Sequence, residues 1–148
     1  MTDTDPDTLI AHSMRAAARA HAPYSEFQVG CAIESSGGEI AVGANMENAC
    51  YRLGVCAEQS ALTAAQQMFG LDHIRRIAVC GGPTAPAMAT EMVITPCGGC
   101  RQAILEAAQL SGRDIEIICA NRDGSVSETH RISALLPHAF DAGSLQDG

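Results

Sequence analysis

Apolar residues at positions 9, 10, 14, 17 and 18 recur at the spacing of one helical face, so residues 6–21 (PDTLIAHSMRAAARAH) predict an amphipathic helix. Pro6 suits its first turn, where a missing N–H costs nothing. A turn at 22–26 breaks the period, and FQVGCAIE (27–34) reads as a buried strand. The SSGG loop at 35–38 leads to EIAVGANM (39–46), which suggests a hairpin. Helical spacing returns over 57–69, with Gly70 as its stop. Residues 74–82 (IRRIAVCGG) predict another strand, followed by a Pro-containing loop to about 91. A helix over 97–110, a strand over 115–121, an edge strand over 125–130 and a short helix over 132–140, broken by Pro137, complete the chain. Strands alternating with helices predict an α/β domain whose helices cover a central sheet, and the early hairpin makes that sheet mixed.

Composition narrows the class. At 148 residues the chain is one domain, 1–148, with 1–5 and 142–148 as loose tails. Its 47% apolar content is that of a globular protein, and no run of 18 apolar residues occurs that could span a membrane. The acidic N-terminus lacks the basic-then-apolar order of an export signal, so the chain reads as cytoplasmic. A net charge of −8 argues against nucleic acid as a partner, because phosphate backbones need clustered cations. A small, uncharged or cationic ligand fits better.

Seven cysteines, at 31, 50, 56, 80, 97, 100 and 119, make an odd count that disfavours a disulfide framework. Cys31, Cys80 and Cys119 lie in apolar strand-like runs and read as small buried hydrophobes. The other pattern is different in kind. TPCGGCR (95–101) places a Cys-x-x-Cys pair where a helix begins, and Gly98 and Gly99 let the backbone wrap one ion. CAEQSAL (56–62) brings a third thiol, Cys56, to the start of its own helix, with Glu58 beside it. Zinc prefers thiolates, and helix N-termini favour the ionised sulfur. Cys56 and Glu58 converge only if Cys56 is the helix cap, since two residues apart inside a helix they face different sides. Three ligands leave a coordination position open for water, as catalytic zinc sites do; a structural site has four. The alternatives are a structural zinc clamp closed by Cys50, a zinc-stabilised binding module without catalysis, and a thioredoxin-like pair that would need neither Cys56 nor Glu58.

Taken together, these motifs resemble the zinc nucleoside and nucleobase deaminases. More narrowly, PYSEFQVGCA (23–32), NMENACY (45–51), GVCAEQSAL (54–62), TPCGGCRQ (95–102) and LLPHAF (135–140) resemble the small homotetrameric cytidine deaminases, in order and from about residue 8 to 141. The resemblance implies a three-layer α/β/α sandwich with a mixed sheet of about five strands. It implies one zinc per subunit on Cys56, Cys97 and Cys100, with Glu58 as the catalytic proton carrier. Asn45 and Glu47 match the pair holding the ribose, and Phe27 matches an aromatic lining the nucleoside pocket. Ala57 matches a position whose carbonyl contacts the cytosine amino group, and Phe140 matches an aromatic that reaches a neighbouring subunit's site. Read without the family, Asn45-x-Glu47 is more readily a turn, and Phe27 and Phe140 are more readily core residues. The implied reaction is hydrolytic deamination of cytidine and 2′-deoxycytidine, as in pyrimidine salvage. The alternative is the same chemistry on another aminopyrimidine or a modified nucleoside.

One position breaks the pattern. Three thiolates exceed the charge of Zn²⁺, and in three-cysteine relatives an arginine after the glutamate compensates. This chain has Gln59 there. Arg52, four residues before Cys56, or Arg101, next to Cys100, is the expected donor to the sulfurs, with Gln59 adding neutral N–H groups.

Overall fold

Alternation along the three central strands divides the sheet's side chains between two cores. In the computed structural model, which describes residues 4–85 and 90–145, these strands are β1 (Phe27–Ser35), β3 (Ile74–Pro83) and β4 (Glu116–Ala120). Cys31, Val79 and Cys119 form one cross-strand row and Ile33, Ile77 and Ile117 another. Both rows face a core shared with two helices, α2 (Ala57–Met68) and α3 (Gly98–Ser111). The intervening residues Ala32, Ala78 and Ile118 face the opposite side, against Leu9, Ile10 and Ala17 of α1 (Pro6–Ala17). Period-two alternation thus builds the expected three layers, α1 on one face and α2 with α3 on the other. Each fully buried isoleucine contributes about 1.5–3 kcal/mol.

The outer strands are β2 (Ile40–Ala44) and β5 (Ser127–Arg131), and the order across the sheet is β2-β1-β3-β4-β5. β1 runs antiparallel to both neighbours, β3 and β4 are parallel, and β5 is antiparallel, so the sheet is mixed as the hairpin predicts. Cys31, Cys80 and Cys119 are fully buried, and burial pushes the Cys119 thiol up to about 12. These three cysteines are neutral core residues. None of the helices of the described residues is long and apolar enough to cross a membrane.

Two helices are shorter than predicted. α1 stops at Ala17 instead of residue 21, because His21 leaves the helix to bridge Met46: its N–H donates to the Asn45 carbonyl and its own carbonyl accepts from Glu47. The last helix, α4, is confined to Ile132–Leu135 and ends ahead of Pro137, which disfavours helical backbone in the residue before it. At the segments read as tails, Asp5 caps α1 by accepting from the Asp7 N–H, and Ala142–Leu145 form a single 3-10 turn. Residues 1–3 and 146–148, and part of the Pro-containing loop (86–89), lie outside the described residues.

Candidate active site

Two helix starts meet at one place. Cys56 caps α2 and Cys97 caps α3, each with extended backbone (φ −72°, ψ 152° and φ −66°, ψ 169°). Cys56 therefore occupies the cap position that convergence with Glu58 requires. The sulfurs of Cys56 and Cys97 are 3.9 Å apart and those of Cys97 and Cys100 are 3.4 Å apart, all three within 4.8 Å of one another. Tetrahedral zinc with Zn–S bonds of about 2.3 Å sets its sulfurs about 3.8 Å apart, so the spacing fits the ion. The proton affinities fit as well. The Cys100 N–H donates to Cys97 and holds its thiol below the usual range, whereas burial pushes Cys56 and Cys100 up. Three adjacent thiols lose their protons together only against a multivalent cation.

Among the described residues no fourth metal-binding side chain joins the cluster, and Cys50 is exposed and apart from it. The four-ligand clamp therefore lacks its closing ligand, and the site keeps an open face. Glu58 lies in the first turn of α2, only 5% exposed, and burial raises its pKa above the ordinary carboxylate value. A carboxyl shifted upward in this way is suited to take and return protons near neutral pH.

Cys56, Cys97 and Glu58 open onto a cavity of about 550 Å³. Asn45 and Glu47 line its rim and are held firmly. The Asn45 amide extends the β1–β2 ladder by one residue, accepting from the Val29 N–H (2.8 Å) and donating to the Phe27 carbonyl (2.9 Å). Glu47 Oε1 accepts the N–H groups of Tyr24 and Ser25, both at 3.0 Å. The Ser25 hydroxyl and amide, with the Tyr24 amide, hold its carboxyl below the usual range, so it is an ionised acceptor at neutral pH.

Phe27, Ala57 and Phe140 stand as follows. Phe27 opens β1 half-buried and is not among the residues lining the cavity; its carbonyl accepts from the Asn45 amide. The aromatic rings at the cavity are Tyr24 and Tyr51, packed edge to face at 5.7 Å, which the sequence reading left without a role. Their one signal was their position in the segments flanking β1 and α2. Val29, Met46, Val55 and Ile94 supply an apolar wall that sequence reasoning also missed. The Ala57 carbonyl is turned into the first turn of α2, where a Cβ on Gly43 would approach it to 2.9 Å. What a helix start leaves free at Ala57 is its N–H. Phe140 is 63% exposed and outside the cavity of its own chain, its carbonyl accepting from Gln102.

Neither arginine reaches the sulfurs. Arg52 sits in an exposed 3-10 turn and makes no hydrogen bond or ion pair among the described residues. The Arg101 guanidinium is committed elsewhere, to the carbonyls of Pro96 and Leu135 (2.8 Å each) and to the Thr95 hydroxyl. Gln59 is the side chain that approaches, its Nε2 3.9 Å from Cys100 Sγ. The described residues thus set two helix starts and a neutral amide, not an arginine, around the three sulfurs.

Known proteins are similar to this chain over nearly its whole length. A cytidine deaminase from Halalkalibacterium halodurans is 37% identical over 143 residues, 97% of this chain and 99% of that one. A cytidine deaminase of Mycobacterium tuberculosis is 34% identical over 98% of this chain and 96% of its own. The 1.6 Å crystal structure of cytidine deaminase from Burkholderia pseudomallei superposes with a TM-score of 0.80 at 34% identity, covering 93% of this chain and all of that one. Residues 3–111 match the family described as the cytidine and deoxycytidylate deaminase zinc-binding region, and the chain belongs to that family.

Proposed function

We propose that this protein is a zinc-dependent cytidine deaminase, converting cytidine and 2′-deoxycytidine to uridine and 2′-deoxyuridine with release of ammonia. The observation that carries the reading is the buried Glu58 beside an open three-thiol cluster on the floor of a cavity rimmed by Asn45 and Glu47. Zinc held by Cys56, Cys97 and Cys100 supplies the Lewis acidity that makes water a nucleophile near neutral pH. Glu47, ionised and fixed by two backbone amides, accepts from a ribose hydroxyl, while Asn45 holds the rim against β1. The apolar wall of Val29, Val55 and Ile94 takes the flat base and excludes water around it. Glu58 takes a proton from water and delivers it to N3 of the ring as oxygen adds at C4. It then passes a second proton to the amino nitrogen; the C4–N bond breaks and ammonia leaves. A carboxylate suits this relay because it serves as base and acid in turn.

The assembly we assign is a homotetramer, supported by the exposed Phe140 ring, which its own cavity does not use and which a neighbour's site would bury. A cytoplasmic setting suits seven unpaired cysteines, because a reducing compartment keeps the metal-binding thiols free. The decisive experiment measures ammonia release from cytidine by zinc-loaded protein, with Glu58→Gln in parallel. The variant should lose roughly 10²–10⁴-fold in kcat while retaining its zinc. A zinc-loaded parent that is inactive on cytidine but active on another aminopyrimidine would redirect the substrate assignment, and inactivity on all of them would sink the enzyme.

A further inference from the structure

Arg101 lies one residue after Cys100, yet all three nitrogens of its guanidinium are engaged by other segments. Nε donates to the Pro96 carbonyl at 2.8 Å, and Nη2 reaches the Thr95 hydroxyl at 3.4 Å. Nη1 donates to the Leu135 carbonyl at 2.8 Å, 34 positions along the chain. The first two contacts hold the segment that leads into Cys97, the cap of α3; the third holds the last residue of α4.

These acceptors belong to backbone that does not satisfy itself. Pro96 is fully buried and lies just before the extended cap of α3, outside any helix or strand. Leu135 closes a single-turn helix, whose last carbonyls have no intrahelical donor. Among the described residues no other donor reaches the Pro96 carbonyl or the Thr95 hydroxyl. The segment carries much of the site: Ile94, Thr95 and Cys97 all line the cavity, and Cys97 is the most exposed of the three clustered cysteines. On its helix side Cys97 has little to pack against, since Gly98 has no side chain and a Cβ there would meet no atom within 4 Å. The hold on Cys97 therefore comes from the buried residue behind it, which Arg101 grips.

We infer, given the proposed zinc deaminase, that Arg101 is a positioning residue for the reaction. Its planar fork braces the Thr95–Cys97 segment against α4, and so sets the Cys97 sulfur and one wall of the cavity. Geometry, not charge, carries this role. The fork presents its nitrogens in fixed directions, whereas a lysine offers one nitrogen that cannot stand at all three acceptors. A misplacement of about 1 Å at a reacting centre costs as much as 10²-fold in rate, so the brace matters to turnover.

The test compares Arg101→Lys and Arg101→Gln with the parent and with Gln102→Ala. Gln102 donates to the Phe140 carbonyl at 2.8 Å from the same helix and bonds neither Thr95 nor Pro96, so its variant loosens the C-terminal segment alone. The readouts are the absorption bands of cobalt-substituted protein, which report how the thiolates surround the ion, and the rate of zinc transfer to a chromophoric chelator. Both Arg101 variants should shift the cobalt bands, speed zinc loss roughly 10-fold or more, and lower kcat for cytidine by a larger factor than they raise KM. Gln102→Ala should keep the parent's bands and zinc-loss rate. Unchanged far-UV circular dichroism shows that the variants fold, and Arg101→Lys carries the comparison if Arg101→Gln does not. Rescue by lysine would make charge sufficient and overturn the inference, as would an equal shift in Gln102→Ala. A parent without thiolate–cobalt bands would overturn the zinc enzyme itself. Parent bands that persist unchanged in both Arg101 variants would overturn the brace alone.

Discussion

Glu58 and Gln59 adjoin in the first turn of α2, and their surroundings set them to different tasks. The carboxyl is buried and faces the cavity; the amide is exposed to solvent and reaches Cys100 on the next helix. Gln59→Leu removes the neutral donor to that sulfur without touching a ligand or Glu58. Zinc affinity, measured by competition with a chromophoric chelator, should fall roughly 10–100-fold, the range for partners that orient metal ligands. Arg52→Gln should change neither affinity nor turnover, since Arg52 makes no hydrogen bond or ion pair among the described residues. A variant pair behaving in the opposite sense would restore the arginine as the compensating group. The ligands and Glu58 were legible in the sequence because their positions follow from local rules: a Cys-x-x-Cys at a helix start and a cap two residues before a glutamate. The directions taken by Arg52, Arg101 and the Phe27 ring were not, because they depend on how a side chain turns in the folded protein. Arg101 shows why: adjacent to a ligand in sequence, it points to the Leu135 carbonyl instead.

At the scale of elements, two glycines decide how closely helices sit on the sheet. A Cβ on Gly43 would come within 2.4 Å of the Ala61 nitrogen, so α2 rests directly on β2. A Cβ on Gly30 would come within 1.9 Å of the Ser13 carbonyl oxygen on the other face, where α1 lies. Each Gly→Ala change forces its helix outward at a cost of about 1–3 kcal/mol or more. The consequences should differ, because α2 carries Cys56 and Glu58 whereas α1 carries no site residue. Gly43→Ala should lower both the zinc content and the turnover per folded molecule; Gly30→Ala should lower the melting temperature and leave turnover per folded molecule close to the parent. Equal catalytic loss in both would separate the site from the seating of α2. All five strands and the long helices were legible from apolar runs and helical spacing, since burial is almost unbroken along β1, β3 and β4. The ends of α1 and of the last helix were less so. The His21–Met46 bridge that draws the chain out of α1 joins segments that no local pattern connects.

For the molecule as a whole, the metal site lies where two helices on the same face come together. Cys56 belongs to the start of α2, and Cys97 and Cys100 belong to the start of α3, so a shared ion ties together helices otherwise joined through the core beneath them. Binding that requires the folded arrangement stabilises it by mass action, by about 4 kcal/mol when free zinc is 1,000 times its dissociation constant. For a chain of this length each kcal/mol moves the melting temperature by about 2–4 °C, so removing the metal should lower it on the order of 10 °C. Scanning calorimetry of zinc-loaded and chelator-treated protein measures the difference directly. The sign and size should be reproduced by Cys100→Ser without chelator, since loss of one sulfur opens the cluster, and chelator should then have little further effect. Readdition of zinc should restore the parent and not the variant. A melting temperature indifferent to chelator would mean that the thiols hold no ion that the fold depends on. The core under α2 and α3 would then carry those helices by itself, and the cluster would act on the reaction alone.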